Sequence, residues 1–152
     1  MSIAVFAVIP FSSLFTLLNI VRMEQVIWLF DRASPGDRDD IVDSTRLKVP
    51  FIDLLASVDA VLTKPGYGTY AEAVCNATPL LTLARSDWPE TSYLNLWAAA
   101  HGRVAEIDPA VFRRGDFTGA LDALWSQTPP ATIPVPTGVD EAAERLLNCL
   151  PG

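Results

Sequence analysis

Short, unbroken apolar runs alternate along the chain with segments in which apolar residues recur every three or four positions. The runs are IAVFAVI (3–9), QVIWLF (25–30), DAVLT (59–63), PLLTLA (79–84) and RVAEI (103–107). Strands of a parallel sheet are covered on both faces, so they read as continuous apolar stretches rather than as alternations. The periodic segments predict helices over Leu14 to Arg22, 50–58, 69–77, 92–101, 116–125 and 139–150. Leu54, Leu55 and Val58 form the stripe of the second, and Pro50 stands near its start. Gly102 closes the fourth. Pro10 to Ser13 reads as a turn, 31–44 as an acidic surface loop and STRLKV (44–49) as a short third strand. Residues 128–138 hold four prolines and read as a linker. Strands that alternate with helices predict an α/β fold. The expected architecture is an open, mostly parallel, Rossmann-like sheet with helices on both faces, in a single domain spanning 1–152.

Composition narrows the function classes. Half of the 152 residues are hydrophobic and the net charge is −7. A folded chain with a real core follows. General nucleic-acid binding, which needs a basic face, does not. The first 21 residues carry no charge, the composition of a leader or membrane span. No basic residue precedes the run, however, and Pro10, Ser12, Ser13, Thr16 and Asn19 interrupt it. A buried strand, turn and helix fit it better, with membrane association left to a partner or to this apolar end. Cys75 and Cys149 lie in apolar helical patterns without a CxxC pair, and His101 is the one histidine. That composition points to reduced thiols, a cytoplasmic setting and no metal site. His101, ending a helix before Gly102, reads as a partner of the helix dipole.

Candidate chemistry concentrates in LTKPGYGTYAEAVCNATPLLTLARSDWPE (62–90). A strand end, a glycine turn and a helix start follow one another there. Ligands in such sheets bind beyond the carboxyl ends of strands, and free amides at a helix start favour an anion. Gly66 and Gly68 let backbone approach closely, Thr69 adds a hydroxyl at the expected helix start, and Lys64 adds a cation. Glu72 is too far into the helix to cap it and would repel phosphate, so sugar hydroxyls are its natural partners. Tyr67 and Tyr70 flank the turn, one of them a candidate to stack on a base. Trp88 reads first as a packing residue.

With these residues in view, DAVLTKPGYGTYAEAVCNATPLLTL followed by PETSYLNLWAAAHG resembles the nucleotide-sugar-binding C-terminal half of GT-B glycosyltransferases. The similarity spans residues 45–126. It lies on the branch of bacterial N-acetylglucosaminyltransferases and of glycosyltransferase-like domains beside arabinokinase-type sugar kinases. The resemblance implies that Gly66, Gly68 and Thr69 meet a diphosphate, with Lys64 beside them, and that Glu72 holds the ribose. Glu90, Thr91 and Ser92 stand near the positions that read the donor sugar, though the family's glutamines are absent. It implies a nucleoside diphosphate sugar, first of all a uridine one, as donor and no further cofactor or metal. It assigns no catalytic base, because the family's base sits in an acceptor-binding half that this sequence lacks. The chain is then a fragment, an inactive remnant, or a subunit working with an acceptor subunit or further copies of itself. The glycine-rich loop that relatives carry after the first strand is replaced by IPFSSLF.

Two other readings stand beside this one. GYGTYA satisfies G-x-G-x-x-A after a strand, with Arg85 and Asp87 following, so an NAD(P)-binding Rossmann domain is an alternative. The other is a non-catalytic domain that binds a nucleotide sugar or a partner subunit.

Overall fold

The computed structural model describes residues 3–8, 21–31 and 38–149. Six strands form one sheet: β1 Ile3–Val8, β2 Val26–Phe30, β3 Ile41–Asp43, β4 Ala60–Thr63, β5 Leu80–Leu83 and β6 Val104–Ile107. Their order is β3-β2-β1-β4-β5-β6, and every neighbouring pair is parallel. The expected sheet is therefore present, and its described strands are all parallel rather than mostly so. The helices are α1 Phe51–Ser57, α2 Tyr67–Cys75, α3 Thr91–His101, α4 Pro109–Arg114, α5 Thr118–Trp125 and α6 Gly138–Cys149.

The apolar runs serve two cores at once. Along β1, Val5 and Ala7 face one core and Phe6 the other. In β4, Ala60 and Leu62 face the first and Val61 the second. The first core packs Trp28, at 0% exposure, against Phe117 and continues through Phe112, Leu121 and Leu124 of α4 and α5. The second takes Leu54 and Leu55 of α1, Tyr70, Ala73 and Val74 of α2, and Leu94 and Ala98 of α3. Each large side chain so covered contributes on the order of 1.5–3 kcal/mol. Helices thus lie on both faces, as the sequence pattern implied.

Several local expectations need correction. The third strand is Ile41–Asp43, inside the segment read as loop, and Ser44–Leu47 is a 3₁₀ turn instead of a strand. The Asp43 carboxylate accepts the Thr45 amide at 3.0 Å and so ends the strand. Helix α4 was not anticipated. Its signals are Asp108, whose carboxylate accepts the Ala110 amide at 2.6 Å, Pro109 in the first turn, and Gly115 in the left-handed region at φ 72°. The expected helix over Leu14 to Arg22 and the turn before it lie outside the described residues, save Val21 and Arg22, which are not helical.

Two polar devices hold parts of the sheet in register, one near each end. The Tyr70 side chain, at 0% exposure, runs from α2 to β5 and α3: its hydroxyl lies 2.6 Å from Thr82 Oγ1 and 2.7 Å from Asn95 Oδ1. One hydroxyl hydrogen serves one acceptor. Tyr70 therefore donates to Asn95, whose carbonyl only accepts, and receives from Thr82. At edge strand β6, the Gln127 side-chain amide pairs with both polar groups of Val104, at 3.1 and 2.8 Å, and so mimics a further strand. Gly102 is required by close approach, because a Cβ there would lie 3.3 Å from both Val74 Cγ2 and the Ala98 carbonyl.

Candidate functional site

The carboxyl ends of β1 and β4 are adjacent, and between them the strand order reverses. Open α/β sheets bind ligands at this point. β4 ends at Thr63, whose hydroxyl donates to the Lys64 carbonyl at 3.0 Å, and the chain turns through Pro65 and Gly66 into α2. The helix starts at Tyr67 rather than Thr69, because the Tyr70 amide already closes on the Gly66 carbonyl at 3.1 Å. The amides of Tyr67, Gly68 and Thr69 then have no acceptor within the helix, and Gly66 supplies no side-chain cap. The open donors come from the glycine turn itself.

Neither glycine is demanded by the backbone. Gly66 has φ −172°, extended geometry open to any residue, and a Cβ there would meet only the Lys64 carbonyl at 3.9 Å. A Cβ on Gly68 would have no atom within 4 Å. Lys64 is exposed and has no ion-pair partner among the described residues. Cation, open amides and bare backbone therefore share one turn.

Lys64 also lines a crevice of about 500 Å³ at the ends of the first four strands. Val8, Val49 and Phe51 supply apolar wall, and Asp31 and Ser44 supply polar groups. Ser44 is only 8% exposed. The sequence reading missed this crevice. Its walls come from four separate segments, and no local motif joins them.

The loop after β5 is organised differently. Arg85 grips its neighbour Asp87 through two hydrogen bonds of 3.0 and 2.8 Å. The bonds hold the Asp87 carboxyl below its ordinary range and the Arg85 guanidinium above its own. Trp88 stands beneath Arg85 at 5.9 Å and edge-on to Tyr67 at 6.2 Å. The Tyr67 hydroxyl loses some solvent and interacts with the Glu90 carboxylate, and both effects raise its pKa above the ordinary phenol value. Deeper in the fold, burial pushes the Tyr70 hydroxyl to about 12.

The expected sugar-reading residues divide. Glu90 turns toward Tyr67 and the α2 start. Thr91 and Ser92 line a separate groove of about 720 Å³ between α3 and β6, with Trp88, Asn95 and Glu106. Thr91 is 6% exposed, with Oγ1 buried and unpartnered. The Ser92 hydroxyl sits 3.5 Å from the Pro89 carbonyl. Glu72 is half-buried in the second turn of α2, three residues beyond Thr69 and four beyond Gly68, and so shares their helix face. It lines neither cavity. His101 Nδ1 lies 2.8 Å from the Trp97 carbonyl one turn back, with the two rings 5.2 Å apart, a packed helix end. Asp59, which leads β4, is at the opposite end of the sheet. Its carboxylate accepts the Ala4 amide at 2.8 Å, and it joins β1 to β4.

Compared with known proteins, the chain matches no family model and no curated sequence. Among the described residues, no group of three or more His, Cys, Asp or Glu side chains is placed to hold a metal ion. No described helix is long and apolar enough to cross a membrane.

Proposed function

We propose that this chain is a glycosyltransferase-like domain that binds a nucleoside diphosphate sugar at the end of β4. A glycosyl group is transferred once an acceptor-binding half completes the site. One observation carries the reading: two glycines that the fold does not require stand beside an unpaired lysine and three open amides. A diphosphate uses all of these together. The amides of Tyr67, Gly68 and Thr69 take its oxygens, and bare glycine backbone lets them come close. Lys64 balances the charge that grows on the diphosphate as the glycosyl bond breaks. The crevice beside Lys64 suits the base alone, against Phe51 and Val49 with polar edges toward Asp31 and Ser44, and leaves the ribose outside it. Glu72 lies about one helical pitch, roughly 5.4 Å, beyond the amides and accepts from the ribose hydroxyls. Glu90 faces the α2 start and so the sugar side, whereas Thr91 and Ser92 line the separate groove between α3 and β6.

Thermal shift with uridine diphosphate and uridine diphosphate sugars tests this. A ligand at a hundred times its Kd stabilises by about 2.7 kcal/mol. A clear upward shift that Lys64→Ala and Glu72→Ala both reduce is expected; no shift with any nucleoside diphosphate overturns the reading. Donor hydrolysis by the isolated chain would mark a transferase, while binding without hydrolysis fits a split enzyme and a pure binder alike.

The strand order supports a second reading. β3-β2-β1-β4-β5-β6 is the dinucleotide-binding order, and GYGTYA follows a strand. That fingerprint belongs after β1, however, and here it follows β4. Stabilisation by NADPH and not by uridine diphosphate would replace the first reading with this one.

A further inference from the structure

Helix α6 has an apolar stripe that is exposed along its length. Every residue from Gly138 to Cys149 is exposed, Val139, Leu146 and Leu147 by 84, 69 and 68%. Val139, Ala142, Ala143, Leu146 and Leu147 fall at the spacing of one helix face. Asp140 and Glu144 border that face beside Ala143 and Leu147. The helix is firmly started: the Thr137 hydroxyl donates to Glu141 Oε1 at 2.6 Å. A formed helix with an uncovered stripe needs a surface of matching chemistry.

The chain carries one. Leu47, Val49, Phe51 and Ile52, between the 3₁₀ turn and the start of α1, are each 40–44% exposed. Arg46 and Lys48 are interleaved with them, both exposed and without ion-pair partners among the described residues. An apolar patch interleaved with Arg46 and Lys48, with Asp53 beside it, is thus offered to an apolar helix face that has carboxylates along one border and Arg145 along the other. The two do not meet within one copy. The patch lies on the α1 side of the sheet, whereas α5, which leads into the proline strap and α6, packs on the opposite side over β5 and β6.

We propose that α6 of one copy lies across the Leu47–Ile52 patch of a second copy, in a reciprocal two-fold exchange. The proline-rich strap, about 3 Å per residue in extended form, carries the helix outward as a semi-rigid arm. Two-fold symmetry makes the same contact twice, so each copy contributes both a helix and a patch. This doubling moves the interface toward the roughly 800 Å² per partner of stable complexes. The charged borders set orientation and make association weaken as salt rises. The proposal does not rest on the nucleotide reading, but Val49 and Phe51 belong to both surfaces, so α6 on the patch and a base in the crevice exclude one another.

Sedimentation of the full chain across the micromolar range tests it. The expected species is a dimer that dissociates on dilution. Leu146→Glu with Leu147→Glu should weaken it at least tenfold without lowering the Tm of the monomer, since those side chains are 69 and 68% exposed within one copy. Arg46→Glu with Lys48→Glu should do the same, and adding Asp140→Lys with Glu144→Lys should restore it. The helix-altered and patch-altered chains, each monomeric alone, should form a heterodimer when mixed, through one intact helix on one intact patch. A chain that stays monomeric at all these concentrations overturns the proposal, as does a dimer indifferent to both pairs of substitutions. Failure of the mixed pair to associate would also overturn it.

Discussion

The loops that follow β4 and β5 leave the same end of the sheet, and each leads into a helix on the same face. They spend their polar groups in opposite ways. After β4, Lys64 has no ion-pair partner among the described residues, and three amides of α2 have no acceptor in the helix. After β5, Arg85 is neutralised by Asp87 two residues on, and Glu90 is engaged by Tyr67. The first loop therefore holds uncompensated positive potential, and the second has already satisfied itself. An anion gains most where donors are free, because no existing bond must be broken. Both loops contain a cation and a turn, so composition alone does not separate them.

Tyr70 ties the two regions together, and removing it should have the largest effect. Tyr70→Ala should cost about 3–5 kcal/mol in urea denaturation, the loss expected for a fully buried aromatic ring. Tyr70→Phe keeps the ring and should cost about 1 kcal/mol by unpairing Thr82 and Asn95. The hydroxyl also predicts a pH dependence. An unfolded tyrosine ionises near pH 10, about where the buried one, at about 12, still holds its proton. Between those values the unfolded state releases a proton that the folded state keeps, so stability falls as pH rises. The wild type should lose about 2 kcal/mol over this window, and Tyr70→Phe should lose none of that portion. An equal slope in both proteins would contradict the burial of this hydroxyl.

Within the open loop, Lys64→Ala should weaken uridine diphosphate about tenfold, or about 1.4 kcal/mol, while leaving Tm of the free protein unchanged. Gly68→Ala sharpens the comparison further. A methyl group there meets nothing in the free protein, so Tm should hold or rise slightly. If a diphosphate packs against that backbone, affinity should nonetheless fall several-fold by titration calorimetry. Arg85→Ala should do least. Its partner Asp87 has a carboxyl held below the ordinary value, so the pair's contribution exists above that range and fades as pH falls through the folded pKa. At this exposed site, melting curves near neutral pH should superimpose with the wild type. A large loss of nucleotide binding in Arg85→Ala, equal to that in Lys64→Ala, would erase the distinction between the two loops.

Legibility followed the range of the signal. Strand runs such as VIWLF and LLTL were readable because burial on both faces leaves a continuous apolar imprint. β3 was not: three residues among acids carry too little of that imprint, and pairing with β2 makes it a strand. Helix α4 was readable in principle from Asp108, Pro109 and Gly115, a cap, a first-turn proline and a left-handed stop. The start of α2 moved two residues toward the strand because the Gly66 carbonyl, not a side chain, closes the first turn. The turn carrying Lys64, Gly66, Gly68 and Thr69 was legible because it is contiguous. The crevice next to it was not, since Val8, Asp31, Ser44 and Phe51 meet only when the sheet forms.

The sequence by itself determined that strands and helices alternate, which runs are buried, and where a glycine turn with a lysine interrupts them. These are properties of neighbours along the chain, written in the periodicity of burial and in the backbone freedom of particular residues. The tertiary structure alone decided which charges found partners and which stayed open. Arg85 and Lys64 look alike in a string of letters, yet among the described residues only Arg85 of the two forms an ion pair. Arg85 finds its carboxylate within its own loop, whereas the surroundings of Lys64 come together only once the strands lie side by side.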